Sequence, residues 1–444
     1  NINTLVEFSS ALESGEYRID VIYNSNVIGS TKIKIIKMSG LGTKDDPYII
    51  TNSTQLSQIR DDLDGYYELA NDIDLTEDTR EGGKLSLASE VCPQGFGWES
   101  INGFSGTLDG KGYTIKGLYQ NNYLTCNEEK TTWYEWNNAG NGLFGSAYGN
   151  VTIKNLVLED FDINCQGGYC SALLSNYKAN NGDYKDDNEY TATFENIILK
   201  NSKVSGIYNR KNGNSSLRYS YGGGLLGNFE SVNGNISISN IYLDFELEPN
   251  GLHKNAYLLS YIQGNNVNIK DIQLKGNING KYDDGSGDAV LIHTIIDNGV
   301  VSTKNILSTV TGKNVAGLLY YHGGSAIIDG VNLLSIEDKS LCRGGCSNTS
   351  NVNIYNQDTE IYKLTDKTNY STWENFDNNW VIKTIDGIPR LPVLKFVDFE
   401  YTTIDNISIK QELNKYSKIY DYIEPNIDSA KRIIYKSNNE DIVK

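Results

Sequence analysis

The chain has 444 residues, of which 56 are acidic and 39 basic, and its formal net charge is −17. A surface of this sign repels phosphate, which excludes nucleic acid and anionic membranes as partners. No run of about 18 apolar residues occurs, so membrane insertion is not expected. Aromatic and β-branched residues recur at strand spacing among many Asn, Gly, Ser and Thr residues. This composition predicts an ordered all-β chain, long enough for two or three domains.

Residues 1–39 are predicted to form a separate unit. Apolar and polar residues alternate with a period of two over residues 16–23 and 28–36, on either side of a turn at 24–26. This pattern predicts a β-hairpin, and two strands do not fold alone. The unit resembles the C-terminal part of an immunoglobulin-like (Ig-like) module from a bacterial or archaeal surface protein.

Residues 40–104 are predicted to open a stack of repeats. A turn and a strand occupy residues 42–50, and a short amphipathic helix follows, with Ser53 or Thr54 as its N-cap and Gly65 as its stop. Its apolar positions at helical spacing are Leu56, Ile59 and Leu63. Such a helix would cap the exposed end of a stack. Residues 66–75 are predicted to form the next strand.

A two-part phrase recurs six times between residues 105 and 340. The first halves, each opening on an apolar pair, begin at Leu143, Leu173, Leu225, Leu258, Leu291 and Leu318. The second halves, each a short strand, centre on Asn155, Asn196, Asn240, Asp271, Asn305 and Gly330. Units of about 25 to 50 residues built from short strands and turns predict a solenoid. The recurring Asn residues are predicted to form a structural ladder between units, the alternative being a polar binding row.

Residues 341–398 are predicted to end the stack. Residues 373–380 are expected to be a strand, followed by a turn and a closing strand at 386–391. Trp373 and Trp380 are expected to cover the last unit, with ligand binding as the alternative. Residues 399–444 are predicted to carry three sandwich strands that resemble the N-terminal part of a bacterial Ig-like (Big) module.

The middle of the chain resembles the GLUG-repeat surface proteins. The segments that carry the likeness are residues 42–50 with 69–75, residues 98–101 with 104–118, and residues 142–145 with 151–156. Ser260, His293 and Tyr320 depart from the motif at its fourth position. The resemblance implies that residues 40–398 form a right-handed parallel β-helix in an extracellular, adhesin-like protein, often flanked by Ig-like modules. It implies no shared catalytic residues.

The six cysteines are predicted to form disulfides. Cys165 with Cys170 and Cys342 with Cys346 each enclose a pair of Gly residues, which allows a tight turn; Cys92 and Cys126 flank the first repeat strand. An even count with local partners is typical of an oxidising, extracellular setting.

Two inserted loops carry candidate binding residues. Trp133, Tyr134 and Trp136 bring three large rings together in the loop at 120–141, which indicates a sugar-stacking or protein-docking patch. The alternative is that the rings fold back and shield the wall of the stack. Asp183, Asp186 and Asp187 are weak calcium candidates, the alternative being a solvated loop, and no metal or other cofactor is expected.

Enzyme activity is not expected, because hydrolysis of a polysaccharide requires carboxylates from neighbouring units and no column of Asp emerges from the repeats. His253, His293 and His322 fall at unrelated positions of their units. The sequence therefore predicts a non-enzymatic adhesin or stalk segment at the cell surface. Its rigid β-helix would present loops to a glycan or a host or cell-surface protein. The alternatives are a filament subunit that joins copies of itself through split Ig-like modules, and a polysaccharide-active enzyme.

Overall fold

A computed structural model gives the fold. It describes residues 15–35, 37–88, 95–121, 140–165, 169–179, 188–206, 221–230, 234–249, 254–279, 287–312, 315, 317–335, 341–342, 346, 348–356, 360–385 and 388–397. The protein is all-β, with long parallel sheets. None of the helices that the structure describes has the length and the apolar character that a membrane crossing requires.

The predicted N-terminal hairpin is confirmed. Strands β1 (Gly15–Tyr23) and β2 (Asn26–Ile35) pair antiparallel, with a bulge after Val21. Asn24 and Ser25 form the connecting turn with φ of 47° and 65°, a left-handed conformation that suits the twist of a tight hairpin. The hairpin pairs with no other strand of the described residues.

A short cap precedes the repeats. It comprises β3 (Tyr48–Ile50), α1 (Ser53–Ser57), a 3₁₀ helix (Gln58–Asp61), β4 (Tyr66–Leu69), β5 (Ile73–Asp74) and α2 (Thr76–Thr79). The predicted helix exists, but the prediction of its N-cap is wrong. Asn52 is the N-cap, because its extended backbone lets its side chain accept a hydrogen bond from the Gln55 N–H. The helix also ends at Asp61, before Gly65.

The repeats supply the remaining strands of the stack. They are β6 (Thr107–Asp109), β7 (Thr114–Lys116), β8 (Tyr119–Asn121), β9 (Phe144–Tyr148), β10 (Val151–Glu159), β11 (Asp162–Cys165), β12 (Tyr169–Cys170), β13 (Leu174–Lys178), β14 (Tyr190–Gly206), β15 (Tyr221–Gly223), β16 (Leu226–Glu230), β17 (Gly234–Glu248), β18 (Lys254–Ala256), β19 (Leu259–Gln263), β20 (Asn266–Ile278), β21 (Ile292–Ile296), β22 (Val300–Gly312), β23 (Leu319–His322), β24 (Ser325–Ser335) and β25 (Asn348–Asn356).

The six repeated phrases lie side by side, as predicted. Their first halves form one parallel sheet in the order β9-β13-β16-β19-β21-β23. Their second halves, β10, β14, β17, β20, β22 and β24, are neighbours in a larger parallel sheet, which we call the main sheet. Its order is β3-β4-β6-β10-β14-β17-β20-β22-β24-β25, and β5, β7, β8 and β11 also pair into it. Each repeat therefore adds one strand to each sheet. Between the sheets, the leading Leu of each phrase and the alternate Ile, Val and Phe residues of the second halves are buried in one continuous core.

The C-terminal segment packs on the side of the main sheet. This segment, which we call the strap, is residues 360–397 as far as they are described. It comprises 3₁₀ helices (Ile361–Thr365 and Lys367–Tyr370), α3 (Phe376–Asn379), β26 (Trp380–Val381), β27 (Thr384–Ile385), β28 (Ile388–Pro389) and β29 (Val393–Leu394). Residues 373–380 were predicted as a strand, and this is wrong, since α3 occupies 376–379.

Trp373 and Trp380 do cover hydrophobic surface, but not at the end of the stack. They are 5% and 1% exposed in a second core with Leu307, Leu334 and Tyr355, on strands β22, β24 and β25. These apolar side chains project from the main sheet away from the first core, so they require a cover along its side. The strap provides that cover.

Candidate functional site

The recurring Asn residues form a structural ladder along the main sheet. Asn155, Asn196 and Asn240 have φ of 53–54°, a region that Asn tolerates better than most residues. Asn240 Nδ2 donates a hydrogen bond to Asn196 Oδ1 (3.1 Å), and Asn196 Nδ2 donates to Asn155 Oδ1 (2.8 Å). Asn155 Nδ2 in turn donates to Asp109 Oδ1 (2.9 Å). Asn305 donates in the same way to Asp271 Oδ1 at 2.8 Å. The side chains turn the backbone and link successive units, as predicted.

Several predicted site residues lie outside the residues that the structure describes. These are Trp133, Tyr134 and Trp136 of the aromatic loop, the calcium candidates Asp183, Asp186 and Asp187, and two of the cysteines, Cys92 and Cys126. The other four cysteines form the predicted disulfides Cys165–Cys170 and Cys342–Cys346. Within the described ranges, no cluster of three or more His, Cys, Asp or Glu side chains could hold a metal ion.

His293 lies in the core of the described residues. His293 is 3% exposed, stacks on the Tyr320 ring with 4.4 Å between ring centroids, and contacts Thr294 Oγ1 through Nδ1 at 2.8 Å. A ring held in this way by packing is part of the core. His253 lies outside the described residues.

A polar groove of about 680 Å³ opens on the main sheet, and sequence reasoning did not find it. It is lined by Asp160, Phe161, Asp162, Asn164, Asn201, Ser202, Lys203, Ser205, Glu246 and Glu248. A volume of this size lies within the range of ligand-binding sites, about 300–1,000 Å³. We call it the polar groove.

Strand register builds the polar groove. Tyr119, Asp162, Lys203 and Glu246 are successive partners on β8, β11, β14 and β17. Two residues further along, Asn121, Asn164, Ser205 and Glu248 form a second row in the same way. The residues between the rows point into the core, as strand alternation requires. The polar groove is therefore lined by two parallel rows of polar side chains.

Charges of both signs alternate across the polar groove. Arg80, which lies at its edge, pairs with Asp162 at 3.2 Å and stacks over the Tyr119 ring at 4.1 Å. Lys203 pairs with Glu248 at 2.8 Å, and this hydrogen bond raises the pKa of Lys203 above its ordinary value. Both pairs are partly exposed to solvent, so they contribute little to stability but fix side chains in place.

One buried acceptor in the polar groove has no partner among the described residues. It is Oδ1 of Asn164, which is enclosed and receives no hydrogen bond. Buried polar atoms are normally paired with protein or with water. A ligand hydroxyl that reached this atom after a small rotation of the side chain would satisfy it.

The polar groove suits binding better than hydrolysis. Asp162 and Glu246 are separated by two strand spacings, roughly 9.6 Å, which is near the separation of the two carboxyl groups in inverting glycosidases. However, Asp162 is held by Arg80. A glycosidase acid is placed in a hydrophobic pocket, whereas all four carboxylates of the groove are half-buried or exposed. Hydroxyl, amide and charged groups in two rows are suited to hydrogen bonds with a polyol.

No family model matches the chain. A protein named as a Gly-rich membrane protein of Evansella cellulosilytica is 32% identical over 152 residues, which is 32% of this chain, and the match spans only 14% of that protein. A solved structure, of a protein named as an immunoglobulin A1 protease from Bacteroides ovatus, aligns with 79% of this chain and 93% of its own, at 16% identity and a TM-score of 0.38.

Proposed function

We propose that the protein is a segment of a non-enzymatic extracellular adhesin, built on a right-handed parallel β-helix that presents ligand-binding surfaces. The observation that carries the proposal is the in-register stacking of six repeats, each of which contributes one strand to both parallel sheets. A stack that seals its core from unit to unit is a stiff rod. Stiffness suits a protein that holds a binding surface away from a cell.

The cysteines support an extracellular location. Both disulfides close short loops, and such bonds persist in oxidising compartments. The net charge of −17 also keeps a surface rod apart from its copies and from anionic envelopes.

The polar groove is the candidate glycan site among the described residues, and the aromatic rings of Trp133 and Trp136 stay a prediction from the sequence. Trp133 and Trp136 follow Asn121 by 12 and 15 residues in the sequence. Asn121 pairs in register with Asn164 of the polar groove. Aromatic rings that stack on sugar faces, beside a row of polar groups that bind hydroxyls, are the usual components of a glycan site.

A glycan array tests this proposal. The wild-type chain is compared with Trp133→Ala/Trp136→Ala, with Glu246→Gln in the polar groove, and with Glu230→Gln, a carboxylate on β16 paired with Lys178, as the control. We expect wild-type binding, a loss of at least tenfold in the first two variants, and no change in the control. Binding that all variants retain would refute the site, and absence of any glycan binding would refute the glycan ligand. Release of reducing ends from a bound glycan would instead support a polysaccharide-active enzyme.

The N-terminal hairpin favours a filament subunit as a second candidate function. Val21, Ile22, Val27 and Ile28 are 51–65% exposed on a sheet of only two strands. Such a sheet becomes stable when further strands cover it, and strand addition from a neighbouring copy is one source of cover. Light scattering across a range of concentrations tests this, since a strict monomer at every concentration contradicts the filament.

A further inference from the structure

An uncharged row of side chains crosses the main sheet, apart from the polar groove. Its members are consecutive partners in register: Tyr66, Thr107, Thr152, Thr193, Ser237, Asn268, Ser302, Ile327 and Asn348. None of these residues is charged, although charged residues make up 21% of the chain. We call this row the uncharged strip. It lies before the Asn ladder in each repeat, whereas the polar groove lies after it.

The row beside the strip shows that this absence of charge is not a general feature of the outer face. Two residues further along each strand, the partners in register are Glu68, Asp109, Lys154, Glu195, Ser239, Lys270 and Lys304. Six of these seven are charged. Both rows face away from the core, so a need for solvation alone would place charges in both. The strip therefore differs in chemistry from its immediate surroundings.

A second uncharged row widens the strip on its other side. Two residues earlier, Thr191, Asn235, Asn266, Val300 and Ser325 are consecutive partners. Asn150 continues this row, because its Oδ1 accepts hydrogen bonds from the backbone N–H and the hydroxyl of Thr191, at 2.9 and 3.3 Å. Hydroxyl and amide groups, with Val300 and Ile327 as aliphatic exceptions, thus form a lattice two rows wide.

The lattice is regular and accessible. Neighbouring members of a row are about 4.8 Å apart, so nine strands extend over roughly 38 Å. No register shift interrupts the pairing of β17, β20 and β22. Ser237 and Asn268 are exposed, and apolar groups lie at one end of the strip and next to its other end, with Tyr66 36% and Ile327 46% exposed.

We propose that the uncharged strip binds a neutral polysaccharide chain laid along the stack, across the strands. Evenly spaced hydroxyls and amides offer both donors and acceptors, which match the hydroxyls of a polymer with a short repeat. Tyr66 adds apolar contact at one end of the strip, and Ile327 adds it beside Asn348 near the other end. Charge complementarity selects against an anionic polymer: the strip has no cation to pair with it, and the chain as a whole is strongly acidic.

Binding to insoluble polymers tests the proposal. Cellulose and chitin are the neutral probes, polygalacturonate gel is the anionic probe, and the protein bound at increasing polymer load is measured. Thr193→Lys/Ser237→Lys places two charges in the middle of the strip. Thr372→Lys/Thr384→Lys adds the same charge at exposed positions of the strap and is the control. We expect retention on at least one neutral polymer, a loss of at least tenfold for the strip variant, and wild-type retention for the control.

Three results would overturn the proposal: no retention of the wild type on either neutral polymer, retention on polygalacturonate alone, or equal retention of the strip variant. Thermal melting checks that each variant is folded. If the lysine variant melts early, Ser237→Ala/Asn268→Ala removes two polar groups without adding charge, and retention unchanged within twofold would then be the contrary result. Glu230→Gln, at a carboxylate on β16 that belongs to neither the strip nor the polar groove, should leave this retention unchanged.

Discussion

Replacing Asp271 by Ala is expected to release the strap from the main sheet. The Asp271 side chain is 2% exposed, and its carboxylate accepts hydrogen bonds from Asn305 Nδ2 (2.8 Å), Asn379 Nδ2 (2.8 Å) and Trp380 Nε1 (3.0 Å). Two of these donors belong to the strap and one belongs to β22. Asp271, on β20, therefore joins the strap to two strands of the main sheet.

The size of the effect follows from these contacts. A hydrogen bond to an ionised group contributes about 1.5–3 kcal/mol, and a buried donor left without a partner costs about 1–3 kcal/mol. Asp271 has a φ of 56°, where Ala is disfavoured by about 1 kcal/mol. Removing a buried charge offsets part of this loss, because its desolvation cost disappears. We expect the net free energy of strap docking to fall by about 3–5 kcal/mol.

Amide hydrogen exchange followed by mass spectrometry measures the change locally. A loss of about 3 kcal/mol raises strap exchange by more than roughly a hundredfold, while β9 and β13, which lie outside the second core, should keep their protection. Asp271→Gly is the control for the backbone, since Gly adopts this φ freely. Strap protection that changes by less than about threefold in the Ala variant would refute the assignment of Asp271, because it would correspond to less than 1 kcal/mol.

Three further predictions concern the ladder, an acidic side chain at the last strand, and the cysteines. Asn240→Ala should destabilise the stack by about 2 kcal/mol, because the hydrogen bond to Asn196 is lost and Ala is disfavoured at this positive φ. Asn240→Gly should restore about half of that lost stability. Equal melting temperatures of the wild type and Asn240→Ala would contradict this. Burial alone would raise the pKa of Asp329, but hydrogen bonds from Ser350 and Asn351 hold it below its ordinary value. The contribution of Asp329 to stability is therefore present above about pH 4, the unfolded-state pKa, and is lost as the pH falls through the folded-state pKa. Pepsin cleavage within β25 should therefore rise on acidification more in the wild type than in Asp329→Asn. Matching cleavage profiles for the two proteins would contradict this. Peptide mapping without reductant should recover Cys165 linked to Cys170 and Cys342 linked to Cys346, and alkylated thiols at these positions would disprove the pairing.

The stacking could be predicted from the sequence because its causes are local and repeated. Each unit carries an apolar pair that must be buried, and five carry an Asn or Asp that adopts a positive φ at Asn155, Asn196, Asn240, Asp271 and Asn305. A fixed period of such signals indicates side-by-side units before any contact is known.

The polar groove could not be predicted, because it depends on register between strands. β14 bulges against β17 between Lys200 and Lys203, so Lys200 opposes Asp244 while Lys203 opposes Glu246. A single extra residue of this kind changes which side chains meet on the outer face. No pattern in the sequence marks it, apart from Asn201, whose φ is 51°.

The strap shows a different limit of sequence reasoning. The large rings of Trp373 and Trp380 indicated burial correctly, but burial does not specify which surface is covered. That surface is set by Leu307, Leu334 and Tyr355, whose outward direction follows only from the register of the main sheet.

The position of the strap has a consequence for folding. Each repeat contacts mainly its neighbours, so the stack can grow from any unit, whereas Trp380 reaches Asp271 across 109 residues and Gln273 reaches Pro392 across 119. During synthesis the ribosome delivers the repeats before the strap, so partly made chains display the side of the main sheet bare. The strap can then close over the side of the main sheet only after the repeats have been made, and a chain cut short before residue 360 would keep its stacked units but leave Leu307 and Leu334 open to aggregation.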